Sequence, residues 1–140
     1  MAEPDLGRML LETRRRLAAE LDEALAERGY PDGRPGHVAL ILNVDRRTGS
    51  RLSDLAERAG MTKQGMMLLV DELEAEGYVR RVPDPEDGRA KLVRLTARGR
   101  RYAAEARRSV AAVEGRIRRR LGDRRYEALR GALEALAEEP

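Results

Sequence analysis

The sequence predicts a mainly α fold carrying one small β-hairpin, and three observations support this. Apolar residues recur at helical spacing over most of the 140 residues, starting with Leu6, Leu10, Leu17, Leu21 and Leu25. The period changes only between Tyr78 and Leu95, where β-branched residues and alternation replace it. Glycines mark the joints, with Gly29, Gly60, Gly77 and Gly122 each following a helical run.

The first helix runs from about Asp5 to Arg28, with Thr13 filling a gap in its leucine stripe. Gly29 can cap it, and the run Tyr30-Pro31-Asp32-Gly33-Arg34-Pro35-Gly36 ends it. A short apolar helix from His37 to about Val44 follows, then a polar loop from Asp45 to Gly49. Ser50 is expected to cap the next helix, whose buried stripe is Leu52, Leu55, Ala56 and Ala59. After Gly60, Thr62 caps a helix running to about Glu76, with Met66, Leu69, Val70 and Leu73 on its apolar face. Two helices joined by a tight glycine-containing turn form a helix-turn-helix.

Tyr78–Val82 and Lys91–Leu95 then read as two strands, with Pro83 to Ala90 as a turn-rich loop between them. Thr96 caps a long helix with the stripe Tyr102, Ala106, Val110, Val113, Ile117 and Leu121. Gly122-Asp123 breaks it, and Tyr126, Leu129, Leu133 and Leu136 mark a last helix. The order is that of a winged helix-turn-helix with helical extensions at both ends. A single domain over 1–140 is expected, with the winged lobe at about 37–96 and flanking helices at about 5–28 and 97–138. The apolar stripes of those flanking helices are longer than one winged helix needs. Contiguous exposed apolar surface marks an interface, so a two-fold homodimer is expected.

Composition narrows the chemistry. The chain has no cysteine, which excludes disulfides and thiolate metal sites. It has one histidine, His37, too few for a histidine-based metal site or a catalytic triad. No glycine-rich phosphate loop or nucleophile–base pair is present, and the carboxylates sit at salt-bridge spacings along helices. Neither catalysis nor a cofactor is therefore expected. No apolar run approaches the roughly 18 residues needed to span a bilayer. With no basic leader followed by an apolar stretch, a cytoplasmic protein is expected.

Net charge is only +3, but it is unevenly placed. From Gly77 to Arg101 there are eight cations against three anions, so this stretch carries +5 and the rest of the chain −2. A basic hairpin on an otherwise near-neutral chain suits a wing that faces phosphates.

Particular stretches carry a resemblance. Asp54-Leu55-Ala56, Gly60-Met61-Thr62-Lys63-Gln64 and Leu73-Glu74-Ala75-Glu76-Gly77-Tyr78-Val79 resemble the MarR family of bacterial transcriptional regulators. So do Asp87-Gly88-Arg89 and Leu95-Thr96-Ala97-Arg98-Gly99, the most specific pair. The resemblance implies an obligate dimer whose first and last helices interlock. It also implies binding of double-stranded DNA at a pseudo-palindromic promoter site. Repression, relieved by a small aromatic or anionic effector, is the usual outcome. The two recognition helices would lie about one DNA turn apart, roughly 34 Å.

On this reading the tip of the second helix of the motif enters the major groove. Thr62 caps it, and the helix N-terminus favours a nearby phosphate. Lys63 can meet a guanine edge or a phosphate, Gln64 an adenine edge, and Met67 a thymine methyl. Relatives often carry a basic residue where Leu68 stands, so Leu68 is expected to pack against the wing or a neighbouring helix. Arg89 resembles the wing-tip arginine that enters the minor groove in this family, and Asp87 is expected to orient it by a salt bridge. Arg51, Arg81 and Lys91 are expected phosphate contacts. Arg14, Tyr30, His37 and Tyr102 are candidates for an effector site. For His37 a cap or core role competes with that reading, and for the tyrosines ordinary packing does. Arg14-Arg15-Arg16 and Arg118-Arg119-Arg120 read as solvated faces with acidic partners on a second chain. The competing reading of the whole chain is a winged helix used only for protein contacts, which would not need so basic a wing.

Overall fold

The computed structural model describes residues 2–31, 33 and 36–138, so Asp32, Arg34 and Pro35 of the expected turn lie outside the described residues. It divides into two compact units. One is Leu25–Arg107, and the other joins the chain up to Ala24 with the chain from Arg108 onward.

The Leu25–Arg107 unit holds the end of α1 (Leu6–Glu27), then α2 (His37–Asn43), β1 (Ser50–Arg51), α3 (Leu52–Ala59), α4 (Lys63–Ala75), β2 (Val79–Asp84), β3 (Asp87–Leu95) and the start of α5 (Ala97–Leu121). Leu40, Ile41, Leu55, Met66, Val70, Leu73, Val79 and Val93 are buried. They come from α2, α3, α4 and the sheet, which therefore share one aliphatic core.

The turn between α3 and α4 follows from Gly60, which has φ 64°. In that left-handed conformation its amide and that of Met61 return to Glu57 O (3.1 Å) and Ala56 O (2.9 Å). Thr62 then opens α4 by accepting a hydrogen bond from the Gly65 amide at 3.0 Å. Thr96 plays the same part for α5, its hydroxyl accepting from the Gly99 amide at 3.0 Å.

Two details depart from the sequence reading. Ser50 does not cap α3. It lies in β1, which pairs antiparallel with β3 through Ser50↔Val93 and Arg51↔Leu92, giving a three-stranded sheet of order β1-β3-β2. The Ser50 hydroxyl accepts from the Asp45 amide at 2.9 Å, and α3 starts after the extended Arg51 with no side-chain cap. The wing is also longer than expected. The strands continue to Asp84 and from Asp87, which leaves Pro85-Glu86 as the turn. Asp84 Oδ1 accepts from the Glu86 amide at 2.9 Å, and Asp87 Oδ1 from the Arg89 amide at 3.1 Å. Side-chain carboxylates thus complete the hydrogen bonding at the tip, where a register shift at Pro83/Asp84 breaks the ladder.

The second unit contains most of α1, the later part of α5, and α6 (Asp123–Ala137). Arg118 joins the last turn of α5 to α6 through Asp123 (2.8 Å) and Glu127 (2.9 Å), and its guanidinium lies over the Tyr126 ring. Arg118, expected to meet acids of a second chain, thus has acidic partners within its own. Leu6, Met9, Leu10, Leu11 and Leu17 on α1 are exposed, as are Leu129, Leu133 and Leu136 on α6.

Candidate nucleic-acid interface

Helix α4 buries Met66, Val70 and Leu73. Helical spacing then turns Lys63, Gln64, Met67 and Leu68 outward, and all four are exposed. Leu68 does not pack against the wing or a neighbouring helix. It is 62% exposed.

Beside this surface a cleft of about 410 Å³ runs between α4 and the wing. It brings together Arg51, Lys63, Met67, Arg81, Arg89 and Lys91 from the expected contact set. Thr62, Gln64 and Asp87 lie outside its lining. Five of its lining side chains are cations and none is a carboxylate, so positive charge dominates its surface. These cations are far apart in the sequence. The hairpin brings Arg89 and Lys91 back towards α4 because β2 leaves directly after it.

The cations are held differently. Arg51 donates Nε–H and Nη2–H to Asp84 Oδ2 at 3.0 and 2.8 Å. Asp84 is buried, and the Glu86 amide and the Arg51 guanidinium hold its carboxyl below the usual carboxylate range. Arg51, expected as a phosphate contact, thus anchors the wing. Arg81, also expected to touch phosphate, lies against α4. Its Nη1 donates to Glu74 Oε1 at 2.8 Å, its Nη2 to Asp71 Oδ1 at 2.6 Å, and its amide to Glu74 Oε2 at 2.9 Å. Asp87 meets Arg89 through the Arg89 amide, and the expected salt bridge to the guanidinium does not form. Lys63, Arg89 and Lys91 are exposed and, among the described residues, make no ion pair.

The effector candidates Tyr30 and Tyr102 meet in an aromatic cluster with Tyr78. Tyr102 stands edge-on to Tyr30 at 4.8 Å and tilted to Tyr78 at 4.9 Å between ring centroids. The Arg98 guanidinium lies 4.6 Å over the Tyr78 ring. Tyr78 and Arg98 are not among the expected effector residues, although both fall inside the family-like motifs. A cavity of about 120 Å³ opens here, lined also by His37 and Glu76. His37 is buried, with Nε2 2.9 Å from Glu72 Oε2. Arg14 belongs to the other unit and is exposed on α1. Among the described residues no cluster of His, Asp or Glu could hold a metal ion, and no helix is long and apolar enough to cross a membrane.

Comparison with known proteins agrees with this geometry. The MarR family pattern matches residues 33–90. The chain is 31% identical over 131 residues to the HTH-type transcriptional repressor Rv2887 of Mycobacterium tuberculosis, covering 94% of this chain and 92% of that one. Among solved structures it is similar to CouR from Rhodococcus jostii bound to p-coumaroyl-CoA. The TM-score there is 0.78 with 29% identity, over 97% of this chain and 94% of that one. It is similar also to the repressor CouR bound to a 23-mer DNA duplex, with a TM-score of 0.82 and 25% identity over 98% of this chain and 100% of that one.

Proposed function

Because the chain belongs to the MarR family, we propose that it is a ligand-responsive transcriptional repressor, not an enzyme, that binds a pseudo-palindromic promoter site as a homodimer. The observation that carries this reading is the cleft between α4 and the wing, with five cations and no carboxylate in its lining. Lys63 and Gln64 at the start of α4 read base edges, with Met67 beside them. Thr62 sets the helix tip. Arg89 enters the adjacent minor groove, Lys91 holds phosphate, and Asp87 fixes the backbone that presents Arg89. Arg51 and Arg81 serve the interface by holding the wing and the recognition helix in place.

The exposed leucines of α1 and α6 support the dimer, since a lone chain has no other use for so much apolar surface. Tyr30, His37 and Tyr102, with Arg98, supply aromatic faces and a cation suited to a small aromatic or anionic effector. The cavity of about 120 Å³ is below the roughly 300 Å³ of an ordinary ligand site, so an effector binds by widening it. Action on promoter DNA supports a cytoplasmic location.

Duplexes selected from a random library test the reading, by fluorescence anisotropy over a salt series. The expected result is a two-fold symmetric site bound by a dimer, with affinity falling steeply as salt rises. Arg89→Ala weakens binding to all duplexes, and Gln64→Ala weakens the selected site more than random DNA. A protein that sediments as a monomer and ignores every duplex at low salt would overturn it in favour of a protein-contact module.

A further inference from the structure

Leu68 stands two residues from both Met66 and Val70, two of the buried side chains of α4, and so projects from the opposite side of the helix. It is 62% exposed, against 43% for Met67, and no other large apolar side chain in the Leu25–Arg107 unit is as exposed among the described residues. Gln64 lies four residues earlier in the same row, and Asp71 three residues later. Asp71 is drawn aside by the Arg81 guanidinium at 2.6 Å, so the acid beneath Leu68 is neutralised within the protein. The outward row of α4 is therefore a polar amide, then a leucine, then a masked carboxylate, flanked by Lys63 at the edge of the basic cleft.

We propose that Leu68 is a specificity-determining residue that reads the C5-methyl group of thymine in the major groove. The proposal rests on the DNA-binding reading above. Thymine is the only base that offers a methyl group there, and an aliphatic side chain is its natural partner. Four residues of helix rise about 6 Å, and stacked base pairs are about 3.4 Å apart. The thymine lies one to two base pairs from the base that Gln64 reads. Leu68 excludes water from the methyl and discriminates against cytosine, whose edge carries an amino group and no methyl.

Replacing single thymines of the selected operator by deoxyuridine removes the methyl and leaves every hydrogen bond. For the wild-type protein, such a replacement in one half-site is expected to weaken binding about fourfold, the worth of one buried methyl. For Leu68→Ala the same replacement is expected to have no effect. The wild-type melting temperature is expected to be kept by Leu68→Ala, because the side chain is exposed. The proposal is overturned if no deoxyuridine position matters, or if Leu68→Ala keeps the full sensitivity. It is overturned too if the sensitivity disappears in Met67→Ala and persists in Leu68→Ala. Salt-dependent operator binding that survives such a result separates failure of this assignment from failure of the DNA reading, in which no duplex binds at all.

Discussion

Arg51 gives two hydrogen bonds to a single oxygen of Asp84, tying the two-residue strand β1 to the outer end of β2. The other Asp84 oxygen takes the Glu86 amide at 2.9 Å, so one carboxylate fixes both the wing's root and its turn. These partners, the Glu86 amide first and then Arg51, lower the Asp84 pKa from its ordinary 3.8. The unfolded chain therefore takes up this proton at a higher pH than the folded one. The stabilisation is whole above the ordinary carboxylate range and is lost as pH falls through it towards the lower folded value. Thermal melting of wild type and Asp84→Asn from pH 3 to 7 should show wild type more stable by a constant margin near neutrality. The margin should close below about pH 4. A margin that stays constant to pH 3 would show that Asp84 does not act as a charged anchor.

Gly99 explains one glycine of the Leu-Thr-x-x-Gly stretch. A methyl group built on it would collide with the carbonyl oxygen of Tyr78, the same carbonyl that receives the Thr96 hydroxyl at 3.1 Å and the Thr96 amide at 3.0 Å. The obstacle is backbone held by hydrogen bonds, so it cannot rotate away. Gly99→Ala is expected to cost at least about 1–3 kcal/mol in urea denaturation. Gly88→Ala, with open space around it at the wing tip, should stay within about 0.5 kcal/mol of wild type. Equal stabilities for the two variants would mean that α5 can move away from Tyr78 at no cost.

The parts legible in the sequence are those set by local signals. Thr62, the glycine turn and the stripe of Met66, Val70 and Leu73 announce α4, and the bend in hydrophobic period announces the wing. Strand β1 has no such signal, because two residues become a strand only when β3 arrives beside them. The ion pairs of Arg51 and Arg81 are hidden for a related reason. Their partners lie 33 residues away for Arg51, and 7 and 10 residues away for Arg81, across a change of element. A cation in a basic stretch reads as a phosphate ligand until the fold places a carboxylate against it. Leu68 is the opposite case. Helical spacing alone puts it opposite the core, but an exposed leucine invites the assumption that it packs against something in its own chain.

Thr62 supplies the cap of the helix that would read DNA, and its hydroxyl receives the Gly65 amide at 3.0 Å. Thr62→Ala leaves that amide to solvent and should cost about 1 kcal/mol of stability in chemical denaturation. Thr62→Ser should recover most of it. Operator affinity should follow the same order, because fraying of the first turn displaces Lys63 and Gln64 together. If Thr62→Ala loses affinity and keeps full stability, the hydroxyl's own contact with DNA outweighs its capping role.

Arg81 allows the sharpest separation of two roles. Its guanidinium holds both Asp71 and Glu74, acids on the recognition helix whose side chains are 55% and 38% exposed. Arg81→Ala should weaken binding to operator and random duplex alike, because two carboxylates near the phosphates lose their counter-charge. A neutralising role predicts that Asp71→Ala combined with Glu74→Gln restores most of the affinity in the Arg81→Ala background. It also predicts a salt dependence close to wild type in the restored protein. A direct phosphate contact predicts the reverse: no restoration, and a slope of log affinity against log salt shallower by about one. The geometry favours restoration, since Arg81 makes three hydrogen bonds to Asp71 and Glu74.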